Sequence, residues 1–552
     1  MPTISIPKKE LFEAIGTKLS PAKLHETLAS MGIPLEAEDD KELTLEVTAN
    51  RPDLLSFQGI ARYLASYLGL KQQSMYKAQS PKENYKVIID SSVKKVRPYT
   101  ACAIAGNLSL NDEKIRELIQ IQEKLHITFG RNRKKVAIGI YPLESISLPI
   151  HYKADKPEKI SFAPLGFSRK MTGMQILQQH PSGKEYAGLL EGKSHFPFFI
   201  DSKGSILSMP PIINSDDTGK ISESTKEAFI ECSGFDMDSV MQGVSIISCA
   251  LLDMGAKVFS MKLCYPDKEI ISPRLEPQKI KLDLSYVERY LGIRLNKNEI
   301  SSSLRKTGLE FNQGTDQVMV PPYRTDILHQ IDLVEEIAVG YGYSKLPSEP
   351  SPVFSVGKES PTEILKKKIR EIMASCGLVE AKNYYLTGEE YETSMVLKSY
   401  KLVHLKNSMS SDFNVLRRAI LPGLLRTLQK NKHHDYSQEL FEQGTAFIPK
   451  GTSIIEEERL ACILCSKDAD YTRIRQVLDI LLRELDIKAA FSEKTGSAFI
   501  EGRCAEVSAD GKPLGLIGEV SPEVLDNFSL EMPASAFEVS VSTLKGLIEK
   551  RL

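Results

Sequence analysis

Neither sign of charge dominates this chain: 71 lysines and arginines stand against 72 aspartates and glutamates, a formal net charge of −1. That balance excludes a global basic field for nucleic acid, so any RNA contact must rest on local patches. Long apolar runs are also missing. No stretch approaches the roughly 18 consecutive apolar residues of a membrane helix. The start, MPTISIPKKE, has no signal-peptide core. The expectation is a cytoplasmic protein without membrane contact. Cysteine is sparse, with 8 residues scattered over 552 and no spacing that makes a disulfide framework. Cys462 and Cys465 form a lone CxxC in the apolar run LACILC. With no second CxxC or His pair to complete a metal site, they read as thiols of a buried strand. There is no GxxxxGK[ST] loop to cradle phosphate. There is no GxSxG either, and His180 has no sequence partner for a nucleophilic triad.

What is present is an ordinary globular composition, 41% apolar and 26% charged, over a length that suits roughly three to five domains. The segment SPAKLHETLASMGI is helix-patterned, as is NDEKIRELIQIQEKLH, and KKVAIGIY is strand-like. In DSVMQGVSIISCALLDMG, Val240, Val244, Ile247 and Leu251 share one helical face, with Gly255 placed to end it. Four prolines in LPSEPSPVFSVGKESP mark a linker at 347–361. A helix then starts with Ser360 as N-cap, Pro361 in the first turn and Glu363 at the reciprocal capping position, with Gly377 as its stop. Strands such as RLACILC and LGLIGEV alternate with helices beyond it, so 362–552 reads as an α+β domain.

One internal repeat stands out. VTANRPDLLSFQGIARYLASYLG from Val47 aligns without gaps to VPPYRTDILHQIDLVEEIAVGYG from Val320, matching Arg51 and Asp53 to Arg324 and Asp326. Each copy reads as helix, short hairpin, Arg-x-Asp turn and helix, which suits a winged-helix-like module used twice, at 1–75 and 270–346. Pairing of Arg51 with Asp53 inside the turn is the favoured reading there. The second copy adds Asp332, Glu335 and Glu336, spaced to share one helical face, where the first has Gly59, Arg62 and Tyr63. With Asp326 they suit Mg²⁺, a hard cation that takes oxygen ligands. They equally suit a solvated first helical turn, where the dipole favours acids.

The middle region holds SMPPIIN and FIECSGFD. Ser208, Pro210 and Pro211, with Asn214 beyond, make a rigid turn after a strand. Glu231 and Ser233 end an apolar run, where a carboxylate is costly unless partnered. The set reads either as a small polar pocket or as structural polar groups. The basic runs GRNRKK (Arg131, Arg133, Lys134, Lys135) and QKNKHH (Lys430, Lys432, His433, His434) read either as RNA contacts or as solvated surface.

These segments together resemble the β subunit of archaeal-type phenylalanyl-tRNA synthetase, in family order from about residue 44 to 530. VTANRPDLLSFQGIARYLASYLG is similar to that family's N-terminal domain, and PPYRTDILHQIDLVEEIAVGYGY to its later repeat domain. SMPPIIN with FIECSGFD resembles its editing domain. VLRRAILPGLLRTLQKN, ELFEQGTAF and GLIGEVSPEVLDNF resemble its C-terminal domain. The resemblance implies a multidomain α+β fold: two winged-helix-like modules, an α/β editing domain at 90–265, and a class II synthetase-like antiparallel-sheet domain lacking catalytic motifs. The extra tRNA-binding and anticodon-binding domains of bacterial β subunits are not expected here.

By the same resemblance, Asp326, Asp332, Glu335 and Glu336 match the positions to which the family's Mg²⁺ is assigned. Glu231 and Ser233 match editing-pocket positions, where many archaeal relatives carry Asp and Thr, and Ser208 lies on a strand lining that pocket. The implied partners are an α subunit, in an (αβ)₂ heterotetramer, and tRNA-Phe. ATP and phenylalanine bind through the α subunit. ELFEQGTAF lacks the arginine a class II motif 2 needs before its glutamate, and no motif 3 follows, so this chain should not make the adenylate. Editing of tyrosine mischarged onto tRNA-Phe falls to it instead. A non-enzymatic nucleic-acid adaptor and a free-standing deacylase are the alternatives.

Overall fold

The repeat in the sequence is a repeat of topology. The computed structural model describes residues 2–71, 75–350, 353, 355–496 and 498–549, in two units, 1–350 and 351–552. In the first module, strand Thr3–Pro7 leads into helices Lys8–Ile15 and Pro21–Ser30, hairpin Leu35–Glu38 and Glu42–Glu46, and helix Phe57–Tyr67. The second module runs in the same order: strand Gln278–Lys281, helices Leu284–Leu291 and Lys297–Lys306, hairpin Glu310–Asn312 and Gln317–Val320, then helix Gln330–Tyr341. In both, the last strand of the hairpin lies between the other two. Local chemistry writes the boundaries. Ser20 accepts from Lys23 N to cap one second helix, and Asn296 makes a full capping box with Glu299 on the other.

The last helix of the first module packs on the second and third helices of the second. Ser66 Oγ donates to Arg305 O at 2.8 Å, and Tyr67 Oη to Val339 O at 3.3 Å. Arg62 lies 3.8 Å over the Tyr323 ring and pairs with Asp253 of the intervening domain.

That domain is built on a ten-stranded sheet. From one edge to the other its strands are Ile213–Asn214, Ile206–Met209, Phe196–Ile200, Ile150–Asp155, Lys86–Ile89, Lys257–Cys264, Tyr99–Gly106, Ala228–Gly234 and Val136–Pro142, with Glu269–Ser272 branching off Lys257–Cys264. Strand Ala228–Gly234 is buried throughout, and its residues alternate between two cores. Ile230 and Cys232 join Ala103, Ile138 and Ile140 beneath helices Asp112–Ile127 and Met237–Asp253. Val240, Val244, Ile247 and Leu251 of the latter helix are all buried, and Gly255 ends it at φ 92°. Phe229, Tyr141, Cys102 and Ile104 face the other core. The sheet curls around that second core until its edges meet: Tyr141 Oη on one edge lies 3.2 Å from Asn214 Oδ1 on the other.

The C-terminal unit carries a seven-stranded sheet, antiparallel except where Val379–Glu380 joins Gln438–Lys450. Its spine is the hairpin Gln438–Lys450 and Ser453–Cys465, whose second strand sends Leu460, Cys462 and Leu464 to one core and Ala461, Ile463 and Cys465 to the other. Cys462 and Cys465 thus lie on opposite faces of one buried strand, and the CxxC cannot chelate. Helix Pro361–Ser375 begins at the expected Ser360 cap, which accepts from Glu363 N, and Gly377 follows at φ 86°. The Glu363 carboxylate turns to Lys366 rather than back to the cap. Of the proposed linker, Ser351, Pro352 and Phe354 lie outside the described residues.

Candidate functional site

A cavity of about 160 Å³ opens where the two sheet edges meet, and Ser208, Pro210, Pro211, Asn214 and Glu231 line it. Glu231 is 2% exposed. Its Oε1 is 3.2 Å from the Tyr141 hydroxyl, while its Oε2 is buried without a hydrogen-bond partner. Ser208 Oγ is likewise buried and unpaired, close to Tyr141 but outside hydrogen-bond geometry. Unpaired polar atoms of this kind are rare inside folded proteins, and two lining one cavity are consistent with a binding role. Burial pushes the Glu231 carboxyl up to about 8, against the opposing pull of Arg97, Tyr141 and Ser233.

Sequence reasoning brought Glu231 and Ser208 to one cavity. It gave Ser233 too free a role. Arg97, 2% exposed, donates from Nε to Ser233 Oγ at 3.1 Å and from Nη2 to the Ser233 carbonyl at 2.6 Å, so this serine is set back against a guanidinium. Arg133 of the basic run is also corrected. It is no free RNA contact: its guanidinium donates to Ile212 O at 2.8 Å, meets Glu123 and lies over the Tyr186 ring. His126 beside it accepts the Ile138 N–H on Nε2, which leaves Nδ1 to donate to Glu123. Lys432, His433 and His434 of the other run are exposed.

Three contributors escaped sequence reading: Tyr141, Gly139 and Arg97. Only Gly139 left a signal, as a glycine inside the strand pattern VAIGIY. It sits opposite Glu231 in the ladder. A Cβ there would stand 2.1 Å from Tyr141 Oη and 2.7 Å from Glu231 Oε1. The glycine is what lets the phenol reach the acid.

The four carboxylates of the second module do not gather as expected. Arg324 donates from Nε and Nη2 to both oxygens of Asp326, at 2.9 and 2.8 Å, and from Nη1 and Nη2 to both oxygens of Glu336. Asp332 instead caps its own helix, with Oδ2 accepting from Leu328 N and His329 N at 2.8 Å. Glu335 is exposed and accepts from Tyr343 Oη at 2.7 Å. Burial would raise the Glu336 carboxyl, but Arg324 holds it below the ordinary value. Among the described residues no group of three or more His, Cys, Asp or Glu is arranged to hold a metal. The donor set therefore does not fit Mg²⁺ as predicted: Arg324 occupies the oxygens of Asp326 and Glu336, while Asp332 and Glu335 bond elsewhere. In the first copy Arg51 pairs with Asp53 at 2.9 Å through two bonds, as read from the sequence.

In the C-terminal unit, Glu442 of ELFEQGTAF is fully buried and saturated by Arg417 and Asn383. Arg417 Nη2 stands 2.0 Å from where a Gly444 Cβ would be, so the arginine fills the space above the sheet.

Comparison with known proteins places this architecture. Family models match residues 1–70 (Phe-tRNA synthetase beta subunit B1 domain), 280–343 (tRNA synthetase B5 domain) and 346–541 (Phenylalanyl tRNA synthetase beta chain CLM domain). The fold and its domains thus define a subunit of an aminoacyl-tRNA synthetase. The chain is 36% identical to the phenylalanine–tRNA ligase beta subunit of Archaeoglobus fulgidus, over 98% of each chain. To that of Pyrococcus abyssi it is 34% identical, over 99% of this chain and all of the relative. A crystal structure of an N-terminal fragment of the phenylalanyl-tRNA synthetase beta subunit from Pyrococcus horikoshii matches with a TM-score of 0.59 at 36% identity, covering 62% of this chain and 99% of that one. The chain belongs to the archaeal-type phenylalanine–tRNA ligase β-subunit family. Enzymes of this family generally use Mg²⁺. No described helix is long and apolar enough to cross a membrane.

Proposed function

We propose that this chain works in an (αβ)₂ phenylalanine–tRNA ligase of the cytoplasm, with a partner α subunit that activates phenylalanine using ATP. Its own chemistry is hydrolysis of tyrosine mischarged onto tRNA-Phe. The observation that carries this reading is the pair of unpartnered polar atoms, Glu231 Oε2 and Ser208 Oγ, in one cavity.

A synthetic pocket for phenylalanine faces a discrimination problem, since tyrosine differs by one hydroxyl and an apolar site rejects such an isostere by only about a hundredfold. A second site that hydrogen-bonds the hydroxyl solves it. Phenylalanine bound there would leave the Glu231 oxygen unpaired, at a cost of about 1–3 kcal/mol. Water then adds to the ester carbonyl, the ribose oxygen leaves with a proton, and free tyrosine is released. The ester is already activated, so no covalent nucleophile is needed. Ser208 is placed to orient the water or the ester carbonyl. The C-terminal unit acts as scaffold in this reading, its buried Glu442 taken up by Arg417 and Asn383.

The test is to measure deacylation of tyrosyl- and phenylalanyl-tRNA-Phe by the assembled enzyme, and ATP–pyrophosphate exchange by this chain alone. Faster hydrolysis of the tyrosyl ester and no exchange are expected. Equal hydrolysis of both esters, or exchange without the partner, contradicts the reading.

A further inference from the structure

We infer that Tyr141 is the positioning residue of the pocket, holding one oxygen of Glu231 so that the other is a single, aimed acceptor for the substrate's phenol. This rests on the editing reading above. Oε1 lies 3.2 Å from the Tyr141 hydroxyl, and Oε2 has no partner. A phenol already on the carboxylate leaves one place for a second phenol, and that place is set by where the first one sits.

The fold is arranged around this contact. Tyr141 is fully buried, its ring packed 5.8 Å from Phe229, and it reaches Glu231 across the gap left by Gly139. The same hydroxyl lies 3.2 Å from the Asn214 amide oxygen. A hydroxyl has one proton, so it can donate to only one of the two; with the amide turned, Asn214 donates to Tyr141 and Tyr141 to Glu231. Tyr141 is thus the link between the Pro210-Pro211 turn on one sheet edge and the acid beside the other. Loss of its hydroxyl frees Glu231 to rotate while leaving the ring in place. The charged and titratable groups facing Glu231 are Arg97, Cys102, Tyr141 and Tyr152 across the sheet and Cys232 beside it on its own strand, with Glu123, His126 and Arg133 on the cavity wall. The Ser233 hydroxyl on the same strand also pulls on the carboxyl, but Tyr141 is the hydroxyl within hydrogen-bond geometry of it.

The experiment measures tyrosyl-tRNA-Phe deacylation between pH 6 and 9.5 by the assembled enzyme with wild-type chain, Tyr141→Phe, Gly139→Ala and Glu231→Gln, after subtraction of spontaneous hydrolysis. Wild-type activity should rise with a midpoint near 8, as Glu231 ionises and accepts the phenol. Tyr141→Phe should move that midpoint upward and raise KM for the tyrosyl ester about tenfold, the loss of roughly one hydrogen bond, with little change in kcat. Gly139→Ala reaches the same pair without altering either member and should shift the midpoint in the same direction. Glu231→Gln should abolish the pH dependence. A Tyr141→Phe enzyme with unchanged midpoint and KM overturns the role of Tyr141 while leaving the editing reading intact. A wild-type enzyme that does not hydrolyse the tyrosyl ester overturns both.

Discussion

Glu231 and Glu336 are both buried glutamates of the N-terminal unit, and the fold treats them in opposite ways. Glu336 has both oxygens on Arg324, which also holds Asp326. Glu231 has one oxygen on a tyrosine and the other on nothing. Burial is therefore not what separates a site from a scaffold; satisfaction is. A saturated acid locks two elements together, whereas a starved one is held in readiness and makes the fold less stable for it. The two copies of the repeat repeat the lesson on a smaller scale. Where the second copy places Glu336 against Arg324, the first has Tyr63, with the Arg51 guanidinium 4.7 Å from its ring centre. One turn geometry accepts an ion pair with Glu336 in one copy and a cation–π contact with Tyr63 in the other.

The largest effect should follow from Arg324→Ala. It leaves Asp326 and Glu336 buried without their cation and should destabilise the unit by about 3–5 kcal/mol, read from urea denaturation of the full chain. A loss below about 1 kcal/mol, the range of exposed pairs, would break the contrast between the two glutamates.

Next comes Glu231→Gln, which should stabilise. Burial raises the folded-state carboxyl to about 8. The folded chain thus keeps a proton that the unfolded chain has released, and wild-type stability falls as pH rises from about 5 to 8. The variant carries no such group. It should match wild type near pH 5 and exceed it above pH 8 by about 1–3 kcal/mol. Parallel stability curves for the two proteins would show that Glu231 is satisfied after all.

The smallest expected effect is that of Mg²⁺ on the isolated chain. With Arg324 on Asp326 and Glu336, and Asp332 and Glu335 bonded elsewhere, chelators should leave the unfolding transition where it is. Saturable stabilisation by added Mg²⁺, lost in Asp332→Ala or Glu335→Ala, would return those carboxylates to a metal role.

How far the sequence could be read follows from the range of each interaction. The repeat was legible because Arg-x-Asp turns, caps and helical spacing are local, and so were Ser360, Gly377 and the buried face of Met237–Asp253. Glu231 was legible as an acid in an apolar run. Tyr141 was not, because its meaning depends on a curl that brings the first and last strands of a ten-stranded sheet together. The acidic cluster was misjudged for a different reason. Its competitor, Arg324, lies two residues from Asp326, and the pairing recognised for Arg51 and Asp53 applied there as well.

The central claim is that Glu231 reads the substrate's phenol, and the most direct measurement is the ratio of tyrosyl- to phenylalanyl-tRNA-Phe hydrolysis by the assembled enzyme before and after Glu231→Ala, with phenylalanine charging as the check on assembly. The account predicts a ratio well above one in the wild type, falling by about ten- to a hundredfold when the acceptor is removed. An unchanged ratio in Glu231→Ala would contradict it and return Glu231 to the company of Glu336.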